Sequence, residues 1–139
     1  MKKIIILAIA LFIYGMTINA QSFKIIVNNA NPVSSVSKAD ASAFFLKKKA
    51  KWANNAVVIP VDLSSKSSVR ADFSEVIHKK SVSQVRAFWQ QSVFAGKETP
   101  PQEMKDDNAV IDFVKANEGA IGYVSSSTAT SGVKVLTLN

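Results

Sequence analysis

The stretch Val57 to Phe73, VVIPVDLSSKSSVRADF, contains the change of periodicity that decides the fold. Its first six residues, 57–62, are mostly apolar and rich in β-branched side chains, so they predict a strand, and Pro60 indicates a sheet edge or a strand end. Small hydroxyl residues follow at 64–68. From Val69 to about Lys79, apolar residues recur at the spacing of one helix face. The segment therefore predicts a strand, a serine-rich loop and a helix.

Strands and helices also alternate in the rest of the chain. In order, the patterns predict a strand at 23–28, a helix at 38–47, a helix from Ser81 to about Phe94, a loop at 97–107, a helix capped by Asp107, and strands at 120–124 and 133–138. This mixture indicates an α/β fold, with a mixed sheet of about four strands covered by about four helices. We expect Phe73, Val76 and Ile77 to face Phe88 and Trp89 over that sheet.

The N-terminus has the layout of a secretory signal peptide. Lys2 and Lys3 precede an apolar run at 4–16, and Ala20 provides a small residue for cleavage. The alternative is an uncleaved membrane anchor, but the run has 13 residues, whereas a spanning helix needs about 20. We therefore predict a signal peptide at 1–20, a mature domain at 21–139, and a periplasmic or secreted location.

Composition excludes several classes of site. The 139 residues include no cysteine and one histidine, so disulfides, thiolate metal sites, iron–sulfur clusters and multi-histidine metal sites are impossible. Without Lys2 and Lys3, 15 basic side chains face 10 acidic ones, a net charge of +5. This moderate charge favours small anions or acidic surfaces as partners and does not indicate nucleic acid.

The polar residues give no support for an enzyme, a metal site or a cofactor. His78 is interpreted as a solvent-facing residue near a helix C-terminus rather than a general base, because no triad can be assembled around it. The pair Asp106–Asp107 is most simply a helix cap. No glycine-rich phosphate loop is present.

Two further features have a functional and a structural interpretation. The lysines of 47–51 could meet an acidic partner, but such a run is more often a solvated helix end. Trp52 and Trp89 could form a ligand cage, but core or edge packing is the more common role.

The serine-rich loop is the strongest candidate for a binding site. It follows the carboxyl end of a strand, where ligands bind in open α/β sheets. It also precedes a helix N-terminus, where unpaired N–H groups favour an oxyanion. The simpler alternative is an ordinary serine N-cap. The candidate ligand-binding residues are Ser65, Ser67, Ser68, Val69 and Arg70, with Lys66 adding charge.

Five segments in one order resemble the phosphate-binding proteins of bacterial phosphate uptake transporters. They are FKIIVNNANPVSSVS, FFLKKKAKW, VVIPVDLSSKSSVRADF, FWQQSVFAG and GAIGYV. With the closing strand that follows them, the resemblance runs from about residue 23 to 138. The resemblance is closest to short, stand-alone substrate-binding-like proteins of phosphate ABC transporters. It implies a domain similar to part of the type 2 periplasmic-binding fold, and phosphate or a similar oxyanion as the ligand.

The chain departs from this family in the loop that holds phosphate. Where the family has Ser-Gly-Thr, this chain has Ser67, Ser68 and Val69, and the family's upstream arginine corresponds to Leu63. Arg70, which follows the loop, is the candidate substitute for that arginine. The resemblance also leads us to expect no counterpart of the second half that completes the family's cleft. The resemblance thus implies a solute-binding-like module linked to a membrane transporter, or alternatively a non-catalytic interaction domain that kept the fold and lost the ligand.

Overall fold

The computed structural model describes residues 21–139. The predicted signal peptide lies outside the described residues. In chain order the elements are β1 Phe23–Asn28, β2 Ser35–Val36, α1 Lys38–Phe45, β3 Ile59–Leu63, α2 Ser68–Phe73, which continues into a π-helical turn at Ser74–His78, α3 Val82–Phe94, β4 Gln102–Met104, α4 Asp107–Ala116, β5 Ala120–Ser125, β6 Val133–Val135 and β7 Thr137–Leu138. The α/β class is confirmed.

Five strands form one mixed sheet in the order β4-β3-β5-β1-β6, and β2 and β7 form a separate parallel pair. β1 runs antiparallel to β5 and β6, whereas β3 runs parallel to β4 and β5. Pro60 is the second residue of β3, so it lies near a strand end and not on an edge strand, since β3 lies between β4 and β5. The pairing of β3 with β4 begins one residue later, at Val61. The missing N–H of proline therefore breaks no bond of that ladder.

Polar side chains fix the starts of the four helices. Ser37, Ser67, Ser81 and Asp106 each accept a hydrogen bond from the backbone N–H three residues on. At Ser81 the side chain of Gln84 returns the bond to the backbone N–H of Ser81, which completes the predicted capping box. The fourth helix is capped by Asp106, one residue earlier than predicted.

Two segments differ from their sequence predictions. The predicted loop at 97–107 contains β4, whose three residues pair with Val61, Asp62 and Leu63. The predicted strand at 133–138 is divided at Leu136, which is buried and donates its N–H to the carbonyl of Ile25 at 2.9 Å. The last residues then leave β1 and pair with β2.

The core lies mainly between the sheet and the helices α1, α2 and α4. All 24 buried residues of the main cluster lie between Phe23 and Leu136, so the described residues contain their own core. None of the described helices is long and apolar enough to span a membrane.

The expected contact between Phe73 and Trp89 was wrong. Phe73 packs against Phe23, Phe45 and Tyr123 in the main core. Trp89 lies instead in a small second cluster with Leu46 and Val85. The chain reverses at Lys79, which has a φ of 55°, so α3 leaves the sheet and covers the end of α1.

Candidate functional site

The candidate loop connects the carboxyl end of β3 to the first turn of α2. The N–H of Ser67 donates to the carbonyl of Ser64 at 2.9 Å, which closes a tight turn. The Ser67 hydroxyl then accepts from the N–H of Arg70 at 3.4 Å. Ser67 is therefore an N-cap, as the simpler interpretation of the sequence proposed, and this role also fixes where the next N–H groups point.

The first N–H groups of α2 are available to a ligand. The N–H groups of Ser68 and Val69 have no intrahelical acceptor, because they belong to the first turn. No hydrogen bond joins either group to another atom within residues 21–139. The side chains of Ser65 and Ser68 are exposed beside them. The start of α2 thus carries two backbone donors and two exposed hydroxyls, although of the five candidate residues only Ser67 lines the adjacent groove.

The loop opens onto a groove of about 470 Å³ at the carboxyl end of β3. A second helix N-terminus, that of α4, lies on the opposite side. The groove is lined by Leu63, Ser67, Lys105, Asp106, Asp107 and Thr128, among others. One lysine and two helix N-termini favour an anion here, whereas the two carboxylates oppose it.

Both carboxylates have hydrogen-bond partners in the protein. Asp106 accepts from the N–H of Ala109 at 2.8 Å. Asp107 accepts from the N–H of Ser125 at 3.0 Å and from the hydroxyl of Thr128 at 2.6 Å. They thus have structural roles in capping α4 and holding the loop after β5, and the negative charge that they bring to the groove is a consequence of those roles.

Arg70 is buried behind the loop and does not line the groove. Its Nη1 donates to the carbonyl of Leu63 at 2.8 Å and to Glu103 at 2.6 Å. Its Nη2 lies 3.7 Å from a carboxylate oxygen of Asp62. Burial lowers the pKa of Arg70, but the two carboxylates more than offset this and the net shift is upward. The guanidinium is therefore a charged brace between α2, β3 and β4.

Tyr123 completes this brace from β5. Its hydroxyl donates to Asp62 at 2.5 Å and accepts from the N–H of Leu63 at 3.3 Å. Burial raises the pKa of Tyr123, and the neighbouring Asp62 raises it further. Burial also raises the pKa of Asp62, against the opposing effect of Arg70. Both backbone groups of Leu63 are thus held by side chains, and this fixes the point where β3 enters the loop.

Sequence reasoning missed Asp62, Glu103 and Tyr123 as residues that support the site. The sequence contained a signal for Asp62, because a carboxylate in an otherwise apolar strand requires a partner when it is buried. The partners themselves come from distant segments, and 61 residues separate Asp62 from Tyr123.

His78 is not the solvent-facing residue that the sequence suggested. Its Nδ1 lies 2.8 Å from the Ser42 hydroxyl, and its ring meets Phe73 edge-on at 5.5 Å. Burial lowers its pKa to about 4, with nearby positive side chains adding to the shift. His78 lies outside the groove.

The remaining candidates have structural roles. Trp52 is buried and donates its indole N–H to the carbonyl of Gly119 at 3.0 Å, and Trp89 is buried in the small cluster, so both tryptophans are packing residues. Lys49 forms an exposed ion pair with Asp40 at 3.6 Å. No group of three or more potential metal-ligating His, Cys, Asp or Glu side chains occurs in the described part of the chain.

Three solved structures that superpose on this chain are described as phosphate-binding or phosphate transport proteins. A Clostridium perfringens protein described as a phosphate ABC transporter substrate-binding protein, solved with bound phosphate, superposes with a TM-score of 0.67 at 20% identity, over 84% of this chain and 44% of its own. An ABC-type phosphate transport receptor from Vibrio cholerae gives 0.68 at 17% identity, over 84% and 46%. The PstS protein of Borrelia burgdorferi gives 0.66 at 13% identity, over 85% and 47%.

These likenesses confirm the fold that the sequence resemblance implied. At such low identity they show the fold alone. The chain spans less than half the length of each of these proteins. No protein-family model matches the chain, and no curated protein matches it.

Proposed function

We propose that residues 21–139 form a solute-binding-like module for phosphate or a similar oxyanion. The observation that carries this proposal is the start of α2, where two N–H groups without a protein acceptor face solvent at the carboxyl end of a parallel strand. The fold is shared with proteins described as phosphate receptors, which supports the same ligand class. A periplasmic or secreted location and an association with a phosphate ABC transporter follow from the same resemblance.

In this proposal the anion is bound mainly by backbone N–H groups and hydroxyls and not by charged side chains. Ser68 and Val69 supply N–H donors, and Ser65, Ser67 and Ser68 supply hydroxyls. Lys66 and Lys105 are exposed and add long-range attraction. Arg70 acts through the loop, since it holds the carbonyl of Leu63 and is itself paired with carboxylates.

The proposed site is weak because it is open on one side. Ligand pockets usually enclose most of their ligand, and this groove is lined only by the β3–α2 and β4–α4 junctions and by Thr128. The carboxylates of Asp106 and Asp107 reduce the attraction further. We therefore expect a dissociation constant far above that of an enclosed anion site.

A second function has its own support. Leu63 stands where the family has an arginine, and the nearest arginine, Arg70, is fully engaged inside the protein. These two features favour a non-catalytic interaction domain that retains the fold without the ligand. Its partner would be a transporter or another acidic protein surface, with the lysines at 47–51 available for contact.

The substitution Ser68→Pro distinguishes an anion-binding module from an interaction domain without a ligand. Ser68 is the first residue of α2, where proline is tolerated, and Ser67 has the extended backbone that precedes a proline. Ser68→Pro removes one N–H donor, whereas the matched control Ser68→Ala removes the hydroxyl and keeps the N–H. The change Arg70→Ala is less informative, because it would leave Asp62 buried without its charged partner.

The measurement is the melting midpoint in phosphate and in chloride at equal ionic strength, which controls for screening. A ligand at about 100 times its dissociation constant stabilises the fold by about 2.7 kcal/mol, or several degrees for a domain of this size. We expect phosphate to raise the midpoint of the parent chain and of Ser68→Ala, and Ser68→Pro to lose most of the difference. Equal midpoints in the two salts for the parent chain would support the interaction domain instead.

A further inference from the structure

We propose that the C-terminal half of α3 binds the surface of an anionic lipid bilayer. The binding surface, called here the α3 patch, combines two exposed apolar side chains near the end of α3 with basic side chains that line the two adjacent grooves. The patch consists of Val93, Phe94, Arg86, Lys47, Lys48 and Lys97.

The apolar centre of the α3 patch is unusually exposed. Phe94 is 95% exposed and Val93 is 52% exposed. Both lie in the last turn of α3, and the chain turns away from the helix at Gly96, which has a φ of 67°. Removing a phenylalanine side chain from water is favourable in proportion to the apolar area that is buried. Phe94 gains almost none of this within residues 21–139, so a partner can still provide it.

The charge around these residues is complementary to anionic headgroups. The two grooves that flank the end of α3 contain four basic side chains, Lys47, Lys48, Lys97 and Arg86, and one acidic side chain, Glu98. This surplus of three positive charges is more than half of the net +5 that residues 21–139 carry. Each lysine or arginine near an anionic membrane contributes about 1 kcal/mol.

The helix itself suits an interfacial position. Of its 13 residues, Arg86 is the only charged one, and apart from Val93 and Phe94 the other exposed residues are serine, glutamine and alanine. Phe88 is partly exposed, and the Nζ of Lys48 lies 5.5 Å from the centre of its ring. An aromatic side chain flanked by lysines at one level is the arrangement that places apolar groups among acyl chains and cations among headgroups.

A second copy of the chain is a less suitable occupant. A stable protein interface covers about 800 Å² on each partner, whereas a phenylalanine and a valine offer roughly 300 Å² together. A bilayer needs no such area, because it deforms around a single inserted side chain and attracts the cations at long range. The α3 patch shares no residue with the groove near Ser67, so this inference does not depend on phosphate binding.

Vesicle co-sedimentation tests the proposal with residues 21–139, which contain their own core and exclude the apolar run of the N-terminus. One set of vesicles contains phosphatidylcholine and phosphatidylglycerol in equal parts, and the other contains phosphatidylcholine alone. We expect binding to the mixed vesicles at low salt, little binding to the neutral ones, and a steep loss as salt rises. Phe94→Ser should lower the partition coefficient about tenfold.

Matched variants separate the α3 patch from general effects of charge and apolar surface. The double change Lys48→Glu with Lys97→Glu should abolish binding, whereas Lys38→Glu with Lys115→Glu, an equal charge change elsewhere on the surface, should preserve most of it. Val57→Ser changes another exposed apolar residue, 61% exposed, and should have little effect.

Three outcomes would overturn the proposal. One is the absence of sedimentation with mixed vesicles, and another is an equal loss in the patch variants and their controls. The third is a dimer in sedimentation equilibrium that Phe94→Ser dissociates, since a second copy would then occupy the α3 patch.

Discussion

His78 is the last residue of the π-helical turn and lies half-buried, with its Nδ1 2.8 Å from the hydroxyl of Ser42 in α1. Burial disfavours the imidazolium and lowers the pKa of His78 from 6.5 to about 4. The unfolded chain therefore binds a proton at a higher pH than the folded one. Stability that is fully present above about pH 6.5 is lost progressively as the pH falls toward 4.

The change His78→Asn tests this pH dependence, because asparagine keeps a polar group near Ser42 but does not titrate. We expect the free energy of unfolding of the parent chain, measured in urea, to fall between pH 7 and pH 4 more steeply than that of the variant. The pKa of Asp62 is raised by burial, so its titration acts in the opposite direction, but it contributes to both proteins. Equal slopes would show that His78 titrates normally in the folded protein.

Among the secondary-structure elements, those with local signals could be predicted from the sequence. The helix starts at Ser37 and Ser81 follow from capping residues, and β1 follows from its β-branched run. β4 could not be predicted, because Gln102–Met104 has no strand periodicity and becomes a strand by pairing with β3. In the candidate site, the Ser67 cap is local and predictable. The Asp62–Tyr123 contact is not, because it depends on β3 and β5 meeting in the sheet.

Phe73 is the residue through which α2 packs against the sheet. It is 1% exposed, stacks on Tyr123 at 3.8 Å and meets Phe45 edge-on at 4.8 Å. Phe73→Ala should lower the free energy of unfolding by about 3–5 kcal/mol. Val93→Ala, on the exposed face of α3, should change it by less than about 0.5 kcal/mol. Denaturant melts of both variants check this, and a loss below about 1 kcal/mol at Phe73 would contradict its place in the core.

The described residues form one large hydrophobic core and one small satellite cluster of buried side chains. The main cluster joins β1, β3, β5, α1, α2 and α4. The satellite consists of Leu46, Val85 and Trp89, with Phe88 packed beside them, and it is what holds α3. Because regions with few buried contacts open at lower free-energy cost than the core, α3 should separate from the body before the sheet unfolds.

The two tryptophans report on these two parts separately. Trp52 is buried in the main cluster and Trp89 in the satellite. Trp89→Phe leaves a reporter of the core, and Trp52→Phe leaves a reporter of α3. In urea we expect the Trp89 signal to change at a lower concentration than the Trp52 signal, with the sheet still intact by circular dichroism. Coincident transitions would mean that α3 unfolds with the core as one cooperative unit.

The same urea experiment, repeated in phosphate, also tests the proposed anion site. Phosphate would bind at the β3–α2 junction, inside the main body, and would stabilise only states in which that junction is folded. It should therefore move the Trp52 transition to higher urea and leave the earlier Trp89 transition in place. If phosphate moved both transitions equally, α3 would be coupled to the site, and the division of the molecule into a core and a separable helix would be wrong.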